Sequence, residues 1–142
     1  MLRPIVALAL VALFTAIAAL HVYWAFGGRW GARVAVPEVD GRPAFRPSRV
    51  ATLTVAFLLA AAATIVAMRS NGMSGQGDAH WVVRVGAWTL AVVFVARAIG
   101  NFDTFGFFKA VRDTAFARYD TVLFSPLCVA IGLGCILVAL GP

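Results

Sequence analysis

The chain has 142 residues, 62% of them hydrophobic and 13% charged, with a net charge of +6 from twelve basic and six acidic side chains. That composition describes one compact membrane domain and excludes an added soluble domain. In a soluble chain the positive balance would point to nucleic acid. Here the arginines flank apolar runs, so anionic head groups and topology explain them, and nucleic acid is not an expected partner.

Four apolar runs, 4–26, 50–68, 81–99 and 121–140, each come to about the 20 residues that cross a hydrocarbon core of roughly 30 Å at 1.5 Å per residue. The predicted fold is all-α, a single polytopic domain over residues 1–142 built as a four-transmembrane-helix bundle. The first run follows Arg3, and Ala16-Ile17-Ala18 resembles a signal-peptide cleavage site. The apolar stretch nevertheless continues through His21 to Phe26, longer than a signal core, so a retained helix is expected. His21 falls about one and a half turns before the end of that run, with Trp24 and Ala25 on its face. An ionisable residue at that depth either faces an interior cavity or sits neutral against a neighbouring carbonyl, and both readings stay open. His80 lies at the other end of the spans, too far for one haem to bridge the pair, and no further His or clustered thiolate offers a zinc site.

Loop one, 27–49, is rich in Gly, Pro and Arg. Pro37, Pro43 and Pro47 exclude a long helix and leave at most a short extended piece at 34–36. A 23-residue loop of this kind is the length of a lid or binding loop. In the second run Ala56, Ala60 and Thr64 recur every four residues, as do Ala12 and Ala16 in the first, which predicts close helix packing there. Loop two, 69–80, is a Gly/Ser/Asn-rich connector. Arg97, near the end of the third run, either snorkels to the surface or pairs with Asp103 or Asp120 to fix a polar pocket.

Loop three, 100–120, has no proline and repeats aromatic residues. Phe105, Phe108, Phe116 and Tyr119 with Lys109, Arg112 and Arg118 predict a short amphipathic helix lying at the interface before the fourth span. Asp120-Thr121 then offers the N-cap of that span, and Pro126 predicts a local kink or an unpaired carbonyl early in it. Cys128 and Cys135, about 10 Å apart along one helix face, read as small packing residues. The absence of a Cys-x-x-Cys pair removes dithiol redox chemistry.

Four crossings put loops one and three on one face. That face carries nine basic residues (Arg29, Arg33, Arg42, Arg46, Arg49, Arg97, Lys109, Arg112 and Arg118) against Arg3, Arg69 and Arg84 on the other. The bias predicts a multi-pass protein of the cell membrane with loops one and three cytoplasmic and both termini outside. The same face carries most of the aromatic residues. A site is therefore expected there, with membrane lipid and a lipophilic small molecule as partners and a homo-oligomer left open.

Asp103, Asp113 and Asp120 stand singly. No Asp-Asp-x-x-Asp cluster is present to hold magnesium around a diphosphate, so neither a metal nor another cofactor is expected. A lone carboxylic acid in an apolar, aromatic setting can instead serve as a Brønsted acid, and desolvated aromatic faces stabilise cations by about 2 kcal/mol each. Asp120 as a plain N-cap is the competing reading.

The blocks His21-Val22-Tyr23-Trp24-Ala25-Phe26-Gly27-Gly28-Arg29-Trp30-Gly31, Phe105-Gly106-Phe107-Phe108-Lys109 and Phe116-Ala117-Arg118-Tyr119-Asp120-Thr121, continuing through Ser125-Pro126-Leu127-Cys128, carry a resemblance. Over essentially its whole length the chain resembles a family of small bacterial four-helix integral membrane proteins of unknown function, which implies an architecture and no activity. In size, topology and composition it is also similar to the membrane-bound terpene cyclases of actinobacterial terpenoid–alkaloid pathways, which start cyclisation by protonating an alkene. That similarity implies a metal-independent cyclase of prenylated substrates. Asp120 would be the general acid, or Asp103 in its place, with Arg97 and His21 orienting it. Trp24, Trp30, Phe105, Phe108, Phe116 and Tyr119 would line the substrate pocket. Asp120→Asn is then expected to abolish turnover in a protein that stays folded. The alternative is a non-catalytic lipid-binding or accessory subunit. A cyclase should ring one lipid-facing cavity with His21, Arg97 and Asp120, whereas a subunit should show those groups paired off and no cavity.

Overall fold

The computed structural model describes residues 2–40, 42–71 and 78–141. In chain order these form α1 (Leu2–Ala25), α2 (Ala32–Ala35), β1 (Glu38–Val39), β2 (Arg42–Pro43), α3 (Arg49–Ser70), α4 (Asp78–Ile99), α5 (Ala115–Tyr119), a π-helical turn (Asp120–Phe124) and α6 (Ser125–Ala139). The last three run on as one rod over Ala115–Ala139. It and the other three long helices are each long and apolar enough to cross a membrane. Leu8, Phe57, Leu58, Val92 and Leu133 stand exposed along them, as side chains facing lipid do, and the protein is a multi-pass membrane protein.

The helices pack as two hairpins. α1 lies along α3 and α4 along α6, and α1·α6 and α3·α4 contacts close the bundle. The core is Ala7, Leu10 and Phe14 from α1, Ala62, Ala63 and Val66 from α3, Ala91 from α4, and Ile131, Cys135 and Val138 from α6. Phe14 meets Phe94 with ring centroids 5.4 Å apart. Lipid tails are as apolar as these side chains, so close van der Waals fit holds the helices together. α6 supplies it with two glycines: a Cβ on Gly132 would come within 2.8 Å of Val95, and one on Gly134 within 3.2 Å of Leu10 and Val6.

The small-residue stripe sits elsewhere than its four-residue spacing predicts. Ala12, Ala16, Ala60 and Thr64 are exposed, and Ala56 alone of the five is buried. An i+4 spacing names a helix face without saying which face packs. The buried face of α1 runs instead through Ala7, Leu10, Phe14, Ala18 and Ala25.

The short helix predicted for loop three forms only as α5, over Ala115–Tyr119, and runs directly into the fourth span. Residues 100–114 are turns, because local bonds compete with a helix. Asn101 Oδ1 accepts the backbone N–H groups of Asp103, Thr104 and Phe105 at 3.1, 2.8 and 3.1 Å. Gly100, Phe102 and Gly106 adopt φ of +95°, +66° and +90°. The fourth span accordingly starts at Ala115, capped by the Thr114 hydroxyl, which accepts from Ala117 N. Asp120 is thus inside the rod rather than its N-cap. The irregularity expected from Pro126 takes the form of the π turn, in which Ser125 N–H donates to the Asp120 carbonyl. Loop one holds no long helix. It does form the one-turn helix α2 across 32–35, where an extended piece was expected, and then a small antiparallel pairing of Val39 with Arg42. Most of loop two lies outside the described residues.

Arg69, one of the three bases expected at the opposite face, is buried at 2% exposure. Its Nη2 donates to the carbonyls of Ala139 and Gly141, and Arg3 Nη2 donates to the Arg69 carbonyl at 3.0 Å. The carbonyls left over at a helix C-terminus thus receive arginine donors.

Candidate functional site

The residues singled out from the sequence separate into two places at the loop-one and loop-three end of the bundle. The first surrounds Asp120, which is completely buried. Its Oδ1 accepts from Arg97 Nη2 at 2.9 Å. Its Oδ2 accepts from Gly106 N at 2.7 Å, Lys109 Nζ at 3.0 Å and Ser125 Oγ at 3.2 Å. Lys109 Nζ also donates to the Gly106 carbonyl at 2.9 Å and Thr121 Oγ1 at 2.7 Å, and its side chain is 1% exposed. The arrangement follows from the fold. α4 ends where Arg97 can lie beside the rod, and the tight turn at Gly100–Gly106 brings Gly106 N–H and Lys109 back over Asp120. The π turn puts Ser125 next to Asp120 on one helix face. Arg97 Cζ stacks on the Phe105 ring at 4.5 Å.

Four donors on two oxygens leave a carboxylate with a satisfied shell. Chemically this is a clamp, joining α4, loop three and the rod through one buried group. Lys109, Gly106 and Ser125 were not visible as its members from the sequence. Lys109 in particular reads from the sequence as part of an interfacial helix. The one available signal was a basic residue inside an aromatic loop close to a lone acid. Phe116 is buried and Tyr119 half exposed, both near Phe124 at ring distances of 6.1 and 6.4 Å. Asp103 is exposed and enters the fold through its carbonyl, which accepts from Val111 N at 2.9 Å. Phe108 is exposed beside Phe102.

The second place is a cleft of about 620 Å³ between α1, α3 and loop one, lined by residues between His21 and Val55 only. Its wall is Trp24, Ala35, Val36, Phe45, Ala51 and Val55, with His21 and Thr52 within and Arg46 and Ser48 at the loop side. His21 Nδ1 lies 2.8 Å from the Ile17 carbonyl. A carbonyl can only accept, so Nδ1 is the donor in this contact. The ring meets Trp24 edge-on at 5.0 Å, and Trp24 Nε1 donates to the Trp30 carbonyl at 2.8 Å, tying loop one back to α1. The Trp30 ring itself is 75% exposed. Arg49 Nε donates to the Ala25 carbonyl at 3.0 Å, and Ser48 Oγ caps α3 by accepting from Ala51 N at 3.1 Å. α2 rests against α5, so loop one reaches the clamp region. The structure therefore does not gather His21, Arg97 and Asp120 around one cavity. Among the described residues no three His, Cys, Asp or Glu side chains come together as a metal site.

No curated protein and no solved structure matches the chain, so the similarity to terpene cyclases finds no support. A family model described as a protein of unknown function (DUF3995) matches residues 14–135, from the middle of α1 to the last turns of α6 and across both the cleft and the clamp. The chain belongs to the DUF3995 family.

Proposed function

We propose that this protein is a lipid-binding membrane protein, whose cleft between α1, α3 and loop one receives an amphiphile from the surrounding leaflet, and that the Asp120 clamp is architectural. The cleft carries this reading. Its volume of about 620 Å³ falls within the range of roughly 300–1,000 Å³ for small-molecule sites, and its wall is apolar with a few polar groups at one end. Cyclisation would ask Asp120 to deliver a proton into an aromatic cavity. What favours binding over cyclisation is that both Asp120 oxygens are engaged and that the cleft is lined from a different pair of helices.

The test is lipid analysis of delipidated, detergent-purified protein after exposure to membrane lipid extract. About one tightly held amphiphile per chain is expected, and Ala51→Trp, which fills the cleft, should lose it. Equal retention by the variant would place any bound lipid elsewhere. Conversion of prenylated indoles or linear terpenoids to isomers carrying one deuterium from heavy water would return the cyclase reading.

The charge bias supports loops one and three on the cytoplasmic side. Ala44→Cys should react with an impermeant maleimide in inverted vesicles and not in intact cells, whereas Leu2→Cys should do the reverse. Native Cys128 and Cys135 are buried and should stay silent. Labelling of Ala44→Cys in intact cells would invert the topology.

A further inference from the structure

We infer that the amphiphile of the loop-one cleft is anionic, an oxyanion head on an alkyl chain, a conclusion that rests on reading the cleft as a lipid site. Charge complementarity is the first reason. Arg46 is the one ionic side chain among the lining residues, and no Asp or Glu lines the cleft. Arg46 also lines an adjoining hollow of about 420 Å³ together with Arg33 and Glu38. Even so, among the described residues neither Arg33 nor Arg46 has a carboxylate within ion-pair distance. An exposed guanidinium at the mouth of an apolar cleft matches an oxyanion with its fork of donors.

The geometry of the wall adds to this. Ser48 caps the 22-residue α3 and Ala51 and Thr52 belong to its first turn, so the positive end of that helix faces the same region as Arg46. Trp24 and Val55 on the helices, with Val36 and Phe45 of loop one, give an apolar wall that suits the upper part of a chain. A head at Arg46 with its chain along α1 and α3 has the orientation of a leaflet lipid whose head group is at the loop-one face. A carboxylate and a phosphate ester share this chemistry, and the source is either a free fatty acid or a phospholipid.

The measurement is tryptophan quenching in neutral detergent, on a Trp30→Phe, Trp81→Phe, Trp88→Phe protein that keeps Trp24 as its one indole. Dibromostearate should quench saturably, with an apparent Kd at least about tenfold below that of dibromostearyl alcohol, the worth of one charge-assisted contact of roughly 1.4 kcal/mol. Arg46→Gln should erase the difference while leaving the folded protein unchanged, because Arg46 is exposed. Displacement by oleate assigns the free acid and displacement by phosphatidylglycerol assigns the phospholipid, and either supports an anionic head. Equal quenching by acid and alcohol would overturn the charge requirement and leave the cleft as a lipid site. No saturable quenching by either would overturn both.

Discussion

Replacing Asp120 by Asn is expected to unfold the protein more readily, by about 3–5 kcal/mol, the usual cost of removing one partner from a buried ion pair. The amide keeps the shape of the carboxylate and loses its charge. Lys109 Nζ would then have no counter-charge at a side-chain exposure of 1%, with the Gly106 carbonyl and the Thr121 hydroxyl as its fixed acceptors. One of the amide's two ends would also present N–H groups to donors, either to Arg97 or to the trio of Gly106, Lys109 and Ser125. Thermal unfolding in detergent micelles should show a fall of roughly 10–17 °C. Adding Lys109→Met removes the stranded cation and should recover most of the loss. Arg97, whose side chain is 31% exposed, can turn to solvent and should need no such rescue. A single variant as stable as the parent would mean that the clamp contributes no net stability. The same substitution separates the readings of Asp120, since a catalytic acid predicts a stable, inactive protein.

Gly106→Ala should be nearly as severe, at about 3 kcal/mol or more. Gly106 has φ of +90°, and its Cβ would fall on the Cα of Gly100 and the carbonyl oxygen of Ile99. Those are backbone atoms, so relief requires the turn itself to open. Opening it withdraws the Gly106 N–H from Asp120, a 2.7 Å bond to a carboxylate that is worth roughly 1.5–3 kcal/mol by itself. Gly27→Ala is the matched control, because Gly27 has φ of +95° with nothing within 4 Å of the added methyl. It should cost only the left-handed backbone penalty of about 1–2 kcal/mol. Equal effects at the two glycines would show that the turn tolerates a side chain and that the Gly106 bond is dispensable.

The spans were legible because lipid demands runs of about 20 apolar residues, and each run lies within a long helix of the structure to within a residue or two at its ends. The start of the fourth span was missed by six residues. Aromatic periodicity in loop three imitated a separate amphipathic helix, and the Thr114 cap was passed over in favour of the more acidic Asp120-Thr121. Pairing of Arg97 with Asp120 was among the alternatives, since both fall at the same face of the membrane. Lys109 and the Gly106 N–H were not, because their approach depends on two left-handed glycines folding loop three back on itself. No local pattern reports such a tertiary turn. The cleft was partly legible: the prolines of loop one and the depth of His21 pointed to a binding loop over a cavity. Its separation from Asp120 was hidden, since co-facial loops need not share a site. Here each hairpin builds its own, α1 with α3 for the cleft and α4 with α6 for the clamp.

The most direct test of the account is photo-crosslinking with a fatty acid that carries a diazirine near its carboxylate, applied to the protein in neutral micelles and mapped by peptide mass spectrometry. Label should concentrate between His21 and Val55, be competed by unlabelled oleate and be lost in Ala51→Trp. Label spread evenly over the lipid-facing helices, or concentrated on α4 and the Ala115–Ala139 rod, would contradict it.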